Sequence, residues 1–387
     1  MSISYKDKTL HIPTWRAALA KLSSDVKKEL DELCYGDELG LAIPTVIPDD
    51  WSDETRGYSW TKNDPNRFGL QHSRTLWCRM LKDRNLKPVQ IVNGRLQLNH
   101  ASMKAILARC DQLCEKLFLL VFLTPGPPPR VSEIADYKHA NSTRGRSMCF
   151  HDCALWLINR RVKSESLLRK ESSNCSKASQ VVTEALQKYF LLVRPLEMEI
   201  AYHVLDDSDR TEALQLYGEY MWLQSGKRMS PKDLCHSIRT FLSGECNMDA
   251  GPRTYRQICV EIIRVFLGSE AEAKAEERDL MAAQMGHSLE LGRSAYAGEA
   301  GHLRGMSSDL LLRYGRASEG WWGVIGFKTG SPPLEPLRIR QQLAAEAAAN
   351  ATAKQHENTE SLLSIAALLR KEVERLEAPA QGVPTEG

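Results

Sequence analysis

Hydrophobic residues recur at helical spacing along most of this chain. Between residues 14 and 34, leucine and valine return every three or four positions, which predicts an amphipathic helix. Residues 99–123 become almost entirely apolar toward their end, which predicts a long, largely buried helix. The sequence TPGPPP at 124–129 ends that helix, because proline has no backbone N–H and clashes with the preceding turn. A new helix is expected to begin at Arg130, since proline suits a first helical turn.

The second half of the chain continues the helical pattern. Residues 179–194 predict a helix that Pro195 stops. The charged stretch 268–280 predicts a solvated helix or a linker. Four further segments have helical periodicity or composition: 195–205, 210–223, 230–242 and 253–267.

One segment has the composition of a β-hairpin instead. Residues 147–164, SMCFHDCALWLINRRVKS, combine β-branched and aromatic residues around a short turn. The turn explains CFHDC at 149–153 better than a metal site does, because the chain has no pair of CxxC knuckles. The pattern as a whole predicts a mainly α fold with a small β-hairpin or sheet, an α+β class.

Changes in composition divide the chain into three regions. Residues 1–95 predict an irregular, helix-containing N-terminal region, and residues 96–330 a mainly helical domain that carries the hairpin. A proline-rich break, SPPLEP, precedes a tail at 331–387 that is rich in alanine and glutamate. An amphipathic helix is expected there, and a lone helix cannot bury its apolar stripe. The stripe consists of Leu362, Ile365, Leu369, Val373 and Leu376.

Composition favours a globular protein and argues against a membrane protein. Hydrophobic residues make up 42% of the 387 positions and charged residues 26%. The most apolar run, LFLLVFL at 117–123, is too short to span a bilayer. The ten cysteines are expected to be individual reduced thiols, which indicates an intracellular compartment.

Charge is distributed unevenly, although the net charge is only +2. Residues 160–170, RRVKSESLLRK, contain five basic residues and the single acid Glu165. A local patch of this kind can neutralise phosphates even on a nearly neutral protein, so Arg160 and Arg161 are expected to contact DNA. A solvated face without a ligand is the alternative explanation.

Four separated segments supply residues suited to a phosphodiester. RVSE opens the helix after the prolines, a lysine follows the hairpin strand, and YRQI lies in a helix. In GHSLELGRSAYA the tyrosine follows the histidine by nine residues, about two and a half helical turns. The resulting set is Arg130, Lys163, Arg256, His287 and Tyr296.

These residue types, in this order, resemble the active-site set of the tyrosine recombinases. The segments RVSE, YRQI, QMGHSLELGRSAYA and YGRASEGWWGVIGF resemble most closely the recombinase-type domain of fungal Crypton elements. Related repeats occur near, or fused to, RecQ-like telomere-associated helicase genes. The resemblance covers residues 40–330 and implies an integrase-like catalytic domain at 96–330 with helical flanks. Residues 1–95 would then correspond to a partial core-binding domain. Each motif alone is weak, and their shared order makes the joint match strong.

The resemblance implies a role for each residue. Arg130 and Arg256 would hold the scissile phosphate, and Lys163 would protonate the leaving 5′ oxygen. His287 would donate to a non-bridging oxygen, and Tyr296 would attack the phosphorus to form a 3′-phosphotyrosine. The family uses no metal and no cofactor. Double-stranded DNA would be the partner, with self-association on DNA through the C-terminal helix and a nuclear location.

The chain also departs from the family pattern. Arg253 stands where the second motif often has histidine, and Gln257 where the Crypton-like branch usually has one. Both are expected to lie at the DNA surface, and either change could remove an acid–base contributor. The 31-residue interval from Arg256 to His287 is long, with 268–279 as the apparent insertion.

Several alternatives remain open from the sequence. A DNA-binding relic of such an element would keep the fold without turnover, and a type IB topoisomerase-like enzyme would share the chemistry. Arg130 could be an ordinary exposed residue that pairs with Glu133, and His287 could be a helix cap. Arg160, Arg161 and Lys170 compete with Lys163 for the role of general acid. Four other tyrosines compete with Tyr296, and none follows a histidine by nine residues: Tyr217, Tyr220, Tyr255 and Tyr314.

Overall fold

The protein is mainly helical with small antiparallel sheets, so the predicted α+β class is confirmed at this level. The computed structural model describes residues 1–41, 43–44, 47–62, 68–151, 153–159, 174–267, 308–349, 351 and 369–370. The chain divides into two compact units, Met1–Leu334 and Glu335–Gly387. The boundaries predicted from the sequence near residues 95 and 330 stay predictions.

The larger unit contains ten α-helices and nine strands within its described residues. The helices are α1 Ile12–Leu33, α2 Phe68–Leu81, α3 His100–Leu123, α4 Val131–Ile134, α5 Gln180–Lys188, α6 Arg194–Val204, α7 Asp207–Glu219, α8 Pro231–Cys246, α9 Pro252–Phe266 and α10 Ser308–Ile325. The strands are β1 Ser2–Tyr5, β2 Lys8–His11, β3 Val89–Val92, β4 Arg95–Leu98, β5 Met148–His151, β6 Ala154–Asn159, β7 Asn174–Lys177, β8 Leu223–Gln224 and β9 Lys227–Arg228.

Helix α3 lies at the centre of the core. The Asn99 side chain caps its start by accepting from the backbone N–H of Ser102 at 3.3 Å. Its last seven residues, 117–123, are all buried, which explains why that run is apolar on every face. Helices α1, α6 and α8 pack around it. The helix ends at Thr124, whose hydroxyl donates to the Leu120 carbonyl at 2.6 Å just before the prolines.

The N-terminal helix α1 packs against the last helix of the unit. The Trp15 and Trp321 rings meet edge to face with centroids 5.9 Å apart, and both are fully buried. Arg16 donates from Nε to the Val324 carbonyl at 2.7 Å and from Nη2 to the Leu334 carbonyl at 2.6 Å. These contacts attach the beginning and the end of the larger unit to the same hydrophobic core.

The predicted hairpin is present and belongs to a larger sheet. Strands β5 and β6 pair antiparallel, with His151 opposite Ala154, and Cys153 adopts a left-handed conformation at φ 59° in the turn. The sequence did not predict the third strand, β7, which pairs with β6 so that Asn159 lies opposite Asn174. The Ser318 hydroxyl of α10 accepts from the backbone N–H of Lys177 at 3.0 Å and connects β7 to that helix.

Pro195 does not stop a helix, contrary to the sequence-based prediction. Helix α5 continues through a π-helical turn, Tyr189–Val193, directly into α6, where Pro195 occupies the first turn. The N–H of Arg194 bonds to the Tyr189 carbonyl, five residues back. In an ordinary α-helix the ring of Pro195 would clash with a backbone carbonyl of the preceding turn. The wider π-helical turn displaces that carbonyl and so accommodates the proline.

Two further regions differ from what the sequence indicated. The N-terminal region is more regular than predicted, since residues 1–98 contain two hairpins, β1–β2 and β3–β4, besides α1 and α2. The helix expected from Arg130 is only one turn long, Val131–Ile134, with Arg130 as its N-cap residue. Short elements of this kind carry too few periodic positions to be seen in a hydrophobic pattern.

In the smaller unit, residues 337–349 are helical and mostly exposed. Of the predicted apolar stripe, only Leu369 lies within the described residues, and its side chain is 63% exposed. The remaining members lie outside them: Leu362, Ile365, Val373 and Leu376. No helix within the described ranges combines the length and hydrophobicity needed to cross a bilayer. All ten cysteines, which lie in described positions, are free thiols.

A buried histidine joins the loop after α4 to helix α7. The Nε2 atom of His139 lies 2.9 Å from the Tyr217 carbonyl, so this nitrogen carries the proton. Its Nδ1 atom has no hydrogen-bond partner among the described residues. Burial, with repulsion from Arg194, lowers the pKa of His139 to about 3. The folded protein therefore keeps this imidazole neutral.

We expect His139 to make the fold sensitive to acid. The unfolded chain binds a proton at His139 below about pH 6.5 while the folded chain does not, so stability falls as the pH falls toward 3. Between about pH 6 and pH 4 the wild type should lose roughly 2 kcal/mol more unfolding free energy than His139→Gln. Urea titrations at both pH values measure this difference, and equal losses in the two proteins would contradict the assignment.

Candidate functional site: a pair of arginines beside a proline-rich loop

The loop that ends α3 brings two distant arginines together. Arg130 lies at the end of the loop as the N-cap residue of α4. Arg256 projects from α9, and its Nε atom donates to the Pro128 carbonyl at 3.2 Å. The two residues, 126 positions apart in the sequence, thus border the same short stretch of backbone. We call Arg130 and Arg256 the arginine pair.

Glu133 holds Arg130 in place from one helical turn further along. Its Oε1 accepts from Arg130 Nη1 at 2.8 Å, and its Oε2 accepts from the Arg130 backbone N–H at 3.0 Å. The Asn159 amide, at the end of β6, also donates to Oε2 at 3.0 Å. The Glu133 side chain is only 3% exposed, so the carboxylate is both shielded and fully used. Glu133 therefore caps α4, orients Arg130 and connects the sheet to the loop.

Arg256 occupies a half-buried position on an amphipathic helix. Tyr255, Ile258 and Cys259 of α9 face the core, whereas Arg253 is exposed and Gln257 half-buried. Burial lowers the pKa of Arg256, and the positive charge of Arg130 lowers it further, while Glu133 opposes the shift. Arg256 therefore lies within electrostatic range of Arg130, in keeping with its hydrogen bond to Pro128, two residues before Arg130. An anion bound between the two guanidinium groups would relieve their repulsion.

The structure places only part of the predicted set. It brings Arg130 and Arg256 together, with Arg253 and Gln257 on the same helix as Arg256. The other predicted residues lie outside the described part of the chain: Arg160, Arg161, Lys163, His287 and Tyr296. Their predicted positions around the arginine pair stay predictions.

Asn159 and the cavity beside it are features that the sequence did not single out. A cavity of about 280 Å³ adjoins Glu133 and Asn159 and is lined further by Lys138, Arg144 and Tyr220. Its walls combine cations, carboxylates and hydroxyl groups, so it is suited to a polar ligand. Asn159 could have been suspected, because it is the one amide that ends an otherwise apolar strand, ALWLIN.

Three of the four competing tyrosines are unsuited to act as nucleophiles. Tyr217, Tyr255 and Tyr314 are buried, and burial raises the pKa of each phenol above its ordinary value. A phenol that resists deprotonation and is shielded from solvent cannot attack a phosphodiester of duplex DNA. Tyr220 is partly exposed and lines the cavity, with its ring between Lys138 and Arg228 at centroid distances of 4.4 and 4.0 Å.

No family model, curated protein or solved structure matches this chain. Within the described residues, His, Cys, Asp and Glu side chains form no group of three or more that could hold a metal ion. The functional argument therefore depends on the arginine pair, its supports and the sequence motifs.

We expect Glu133 to be essential for the local structure around Arg130. Glu133→Ala removes the acceptor of three hydrogen bonds and should lower the unfolding free energy by about 2 kcal/mol. Glu261→Ala is a matched control, since Glu261 also pairs with an arginine three residues later but at the surface. That substitution should cost about 0.5 kcal/mol or less. Similar losses for the two variants in denaturant titrations would argue against the role of Glu133.

Proposed function

We propose that this protein breaks and rejoins DNA through a covalent phosphotyrosine intermediate, as a recombinase or transposase. The arginine pair is the observation that supports this proposal most directly. Two guanidinium groups lie near each other, one oriented by a buried carboxylate and the other by a backbone carbonyl. This arrangement suits the two non-bridging oxygens of a phosphodiester, which planar guanidinium groups bind at two points.

Preorganisation gives the arginine pair its proposed role in catalysis. Attack on a phosphodiester builds negative charge on the phosphoryl oxygens in the transition state. Cations that are already fixed in place stabilise this charge without the cost of reorienting them during the reaction. Glu133 and the Pro128 carbonyl supply such fixation for Arg130 and Arg256.

The chain connectivity supports Lys163 as the general acid. Residues 160–173 join β6 to β7, and these strands pair at Asn159 and Asn174. Asn159 itself donates to Glu133, beside Arg130. Lys163 follows Asn159 by four residues, so its Cα lies within about 14 Å of the Asn159 Cα in any conformation. A lysine side chain on this short tether can reach the arginine pair, where it would protonate a leaving oxygen.

The proposed reaction conserves both atoms and bond energy. The Tyr296 hydroxyl attacks the phosphorus and transfers its proton to a solvent water as the new P–O bond forms. The bond between phosphorus and the 5′ oxygen breaks, and Lys163 gives that oxygen a proton. His287 donates a hydrogen bond to a non-bridging oxygen. Attack by a 5′-hydroxyl on the phosphotyrosine reverses each step, so religation needs no nucleotide cofactor.

A second candidate function is DNA binding without turnover. Two residues of α9 favour it, because Arg253 and Gln257 stand where the tyrosine recombinases that this chain resembles often have histidine. Loss of a proton donor or acceptor lowers the rate of a reaction but leaves DNA binding intact. The same covalent-capture experiment distinguishes the two candidates.

We expect Tyr296→Phe to abolish the covalent protein–DNA adduct. The wild type, incubated with nicked duplexes of random sequence, should give an SDS-resistant adduct whose phosphotyrosine maps to residue 296. Arg256→Ala should lower adduct formation by about 100-fold or more, since transition-state charge would be unmatched. Tyr202→Phe serves as the control, because Tyr202 is 51% exposed and outside the site.

Each outcome of that experiment separates the candidates. An adduct on any other tyrosine would overturn the assignment of Tyr296. DNA binding by the wild type without any adduct would favour the second candidate. Absence of duplex binding would contradict both.

The tail generates a prediction about assembly. We propose that the apolar stripe that includes Leu369 docks on a neighbouring protomer when the protein is bound to DNA. A chain that ends at Leu334 keeps the carbonyl that binds Arg16, so the larger unit should remain folded. Light scattering should find a smaller DNA-bound oligomer for the shortened chain than for the full chain. An unchanged mass would contradict the proposal.

A further inference from the structure

The β3–β4 hairpin presents apolar side chains to solvent. The strands pair antiparallel from Val89 opposite Leu98 to Val92 opposite Arg95. Asn93 and Gly94 form the connecting turn at φ 51° and 72°, as an Asn-Gly hairpin requires. Side chains alternate between the two faces of a strand, so Ile91 and Leu96, directly opposite each other, share a face with Val89 and Leu98.

This apolar face changes from half-buried at its base to exposed near the turn. Val89 and Leu98 are partly buried, and Leu98 packs against the core. Ile91 is 76% exposed and Leu96 is 71% exposed, the highest values among the exposed large hydrophobic residues of the described chain. No other described element packs extensively on either strand. Exposed apolar side chains that adjoin one another mark an interaction site, in contrast to single scattered ones.

Positive charge surrounds the same hairpin. Residues 79–104 contain six Lys or Arg residues and a single acidic residue, Asp83. The Asp83 carboxylate is occupied by the Tyr35 hydroxyl at 2.9 Å and by the backbone N–H of Asn85 at 2.8 Å. Four of the cations are exposed, and none has a side-chain hydrogen bond or ion pair with a described residue: Lys82, Arg84, Lys87 and Arg95. The net charge of the whole chain is only +2, so positive charge is concentrated around this hairpin.

We propose that the β3–β4 hairpin is a DNA-binding arm that inserts Ile91 and Leu96 into the minor groove and bends the duplex. Apolar side chains that enter the minor groove separate neighbouring base pairs, and the resulting bend brings more protein surface onto the DNA. The cations at the base of the hairpin and at its turn bind the phosphates on either side.

Charge favours DNA over a second copy of this chain as the occupant. A symmetric contact through the hairpins would bring Arg95 and Lys87 of both copies close together, and repulsion would oppose it. A duplex carries the complementary charge along both edges of the groove. The inference rests on the proposed function only in taking DNA as the partner and is independent of the covalent chemistry.

We expect the double substitution Ile91→Thr with Leu96→Thr to reduce DNA bending. Threonine keeps the β propensity of the strands, so the hairpin itself should persist. A short duplex labelled with a fluorescent donor and acceptor at its ends reports the bend when the full chain binds. The variant should bend it less and bind about tenfold more weakly, because two apolar contacts are lost. The double substitution Val181→Ser with Leu312→Ser is the control, since both residues are exposed apolar positions elsewhere.

A second variant tests the charges separately. Lys87→Gln with Arg95→Gln should reduce the slope of log affinity against log salt by about two, roughly one for each lost phosphate contact. If the wild type binds DNA and the threonine variant binds and bends it equally well, the proposal of a DNA-binding arm is wrong. The proposed function is then unaffected. If the threonine variant bends DNA less but the wild type forms no covalent adduct, the arm is supported and the recombinase proposal is contradicted. A smaller oligomer of the threonine variant in the absence of DNA would assign the face to self-association instead.

Discussion

The proline-rich loop after the buried helix α3 determines where the arginine pair forms. A helix whose last seven residues are all buried must remain within the core, and the prolines end it there, because residues 124–128 are buried as well. Pro128 lacks an N–H but keeps a carbonyl, and Arg256 uses that oxygen as an acceptor. Arg130 follows two positions later, where the chain enters α4. One constraint on the backbone thus positions both guanidinium groups.

Glu133 extends that constraint to the sheet. The carboxylate binds Arg130 on one side and Asn159 on the other, so α4 and the end of β6 are held by the same buried group. Buried carboxylates are costly unless each oxygen is satisfied, and here both oxygens accept hydrogen bonds. Asn159 is the last described residue of β6, and Lys163 follows it by four positions in the sequence. Movement of that strand end would therefore be transmitted to Arg130 through two hydrogen bonds.

The sequence predicted the features that depend on long periodic patterns. Helix α3, the β5–β6 hairpin and helix α9 with Arg256 all agree with it, because many residues contribute to each pattern. It failed at Pro195, where tertiary packing stabilises a π-helical turn that no local rule anticipates. The β3–β4 hairpin was missed although Asn93-Gly94 is a strong local turn motif, because each of its strands is only four residues long and so carries few periodic positions. The proximity of Arg130 to Arg256 was expected only from the order of motifs, and no spacing along the chain could have specified it.

The charges around the arginine pair allow it to be stable without a ligand and still to attract an anion. Burial and the charge of Arg130 lower the pKa of Arg256, and Glu133 opposes that shift, so the carboxylate offsets part of the repulsion between the two guanidinium groups. A second carboxylate in the same place would neutralise the pair and remove its attraction for phosphate. With two cations and one anion, a single positive charge remains, equal and opposite to that of one phosphodiester. Glu133 thus orients Arg130 and at the same time cancels part of the positive charge of the arginine pair. The charge that remains matches that of the proposed substrate.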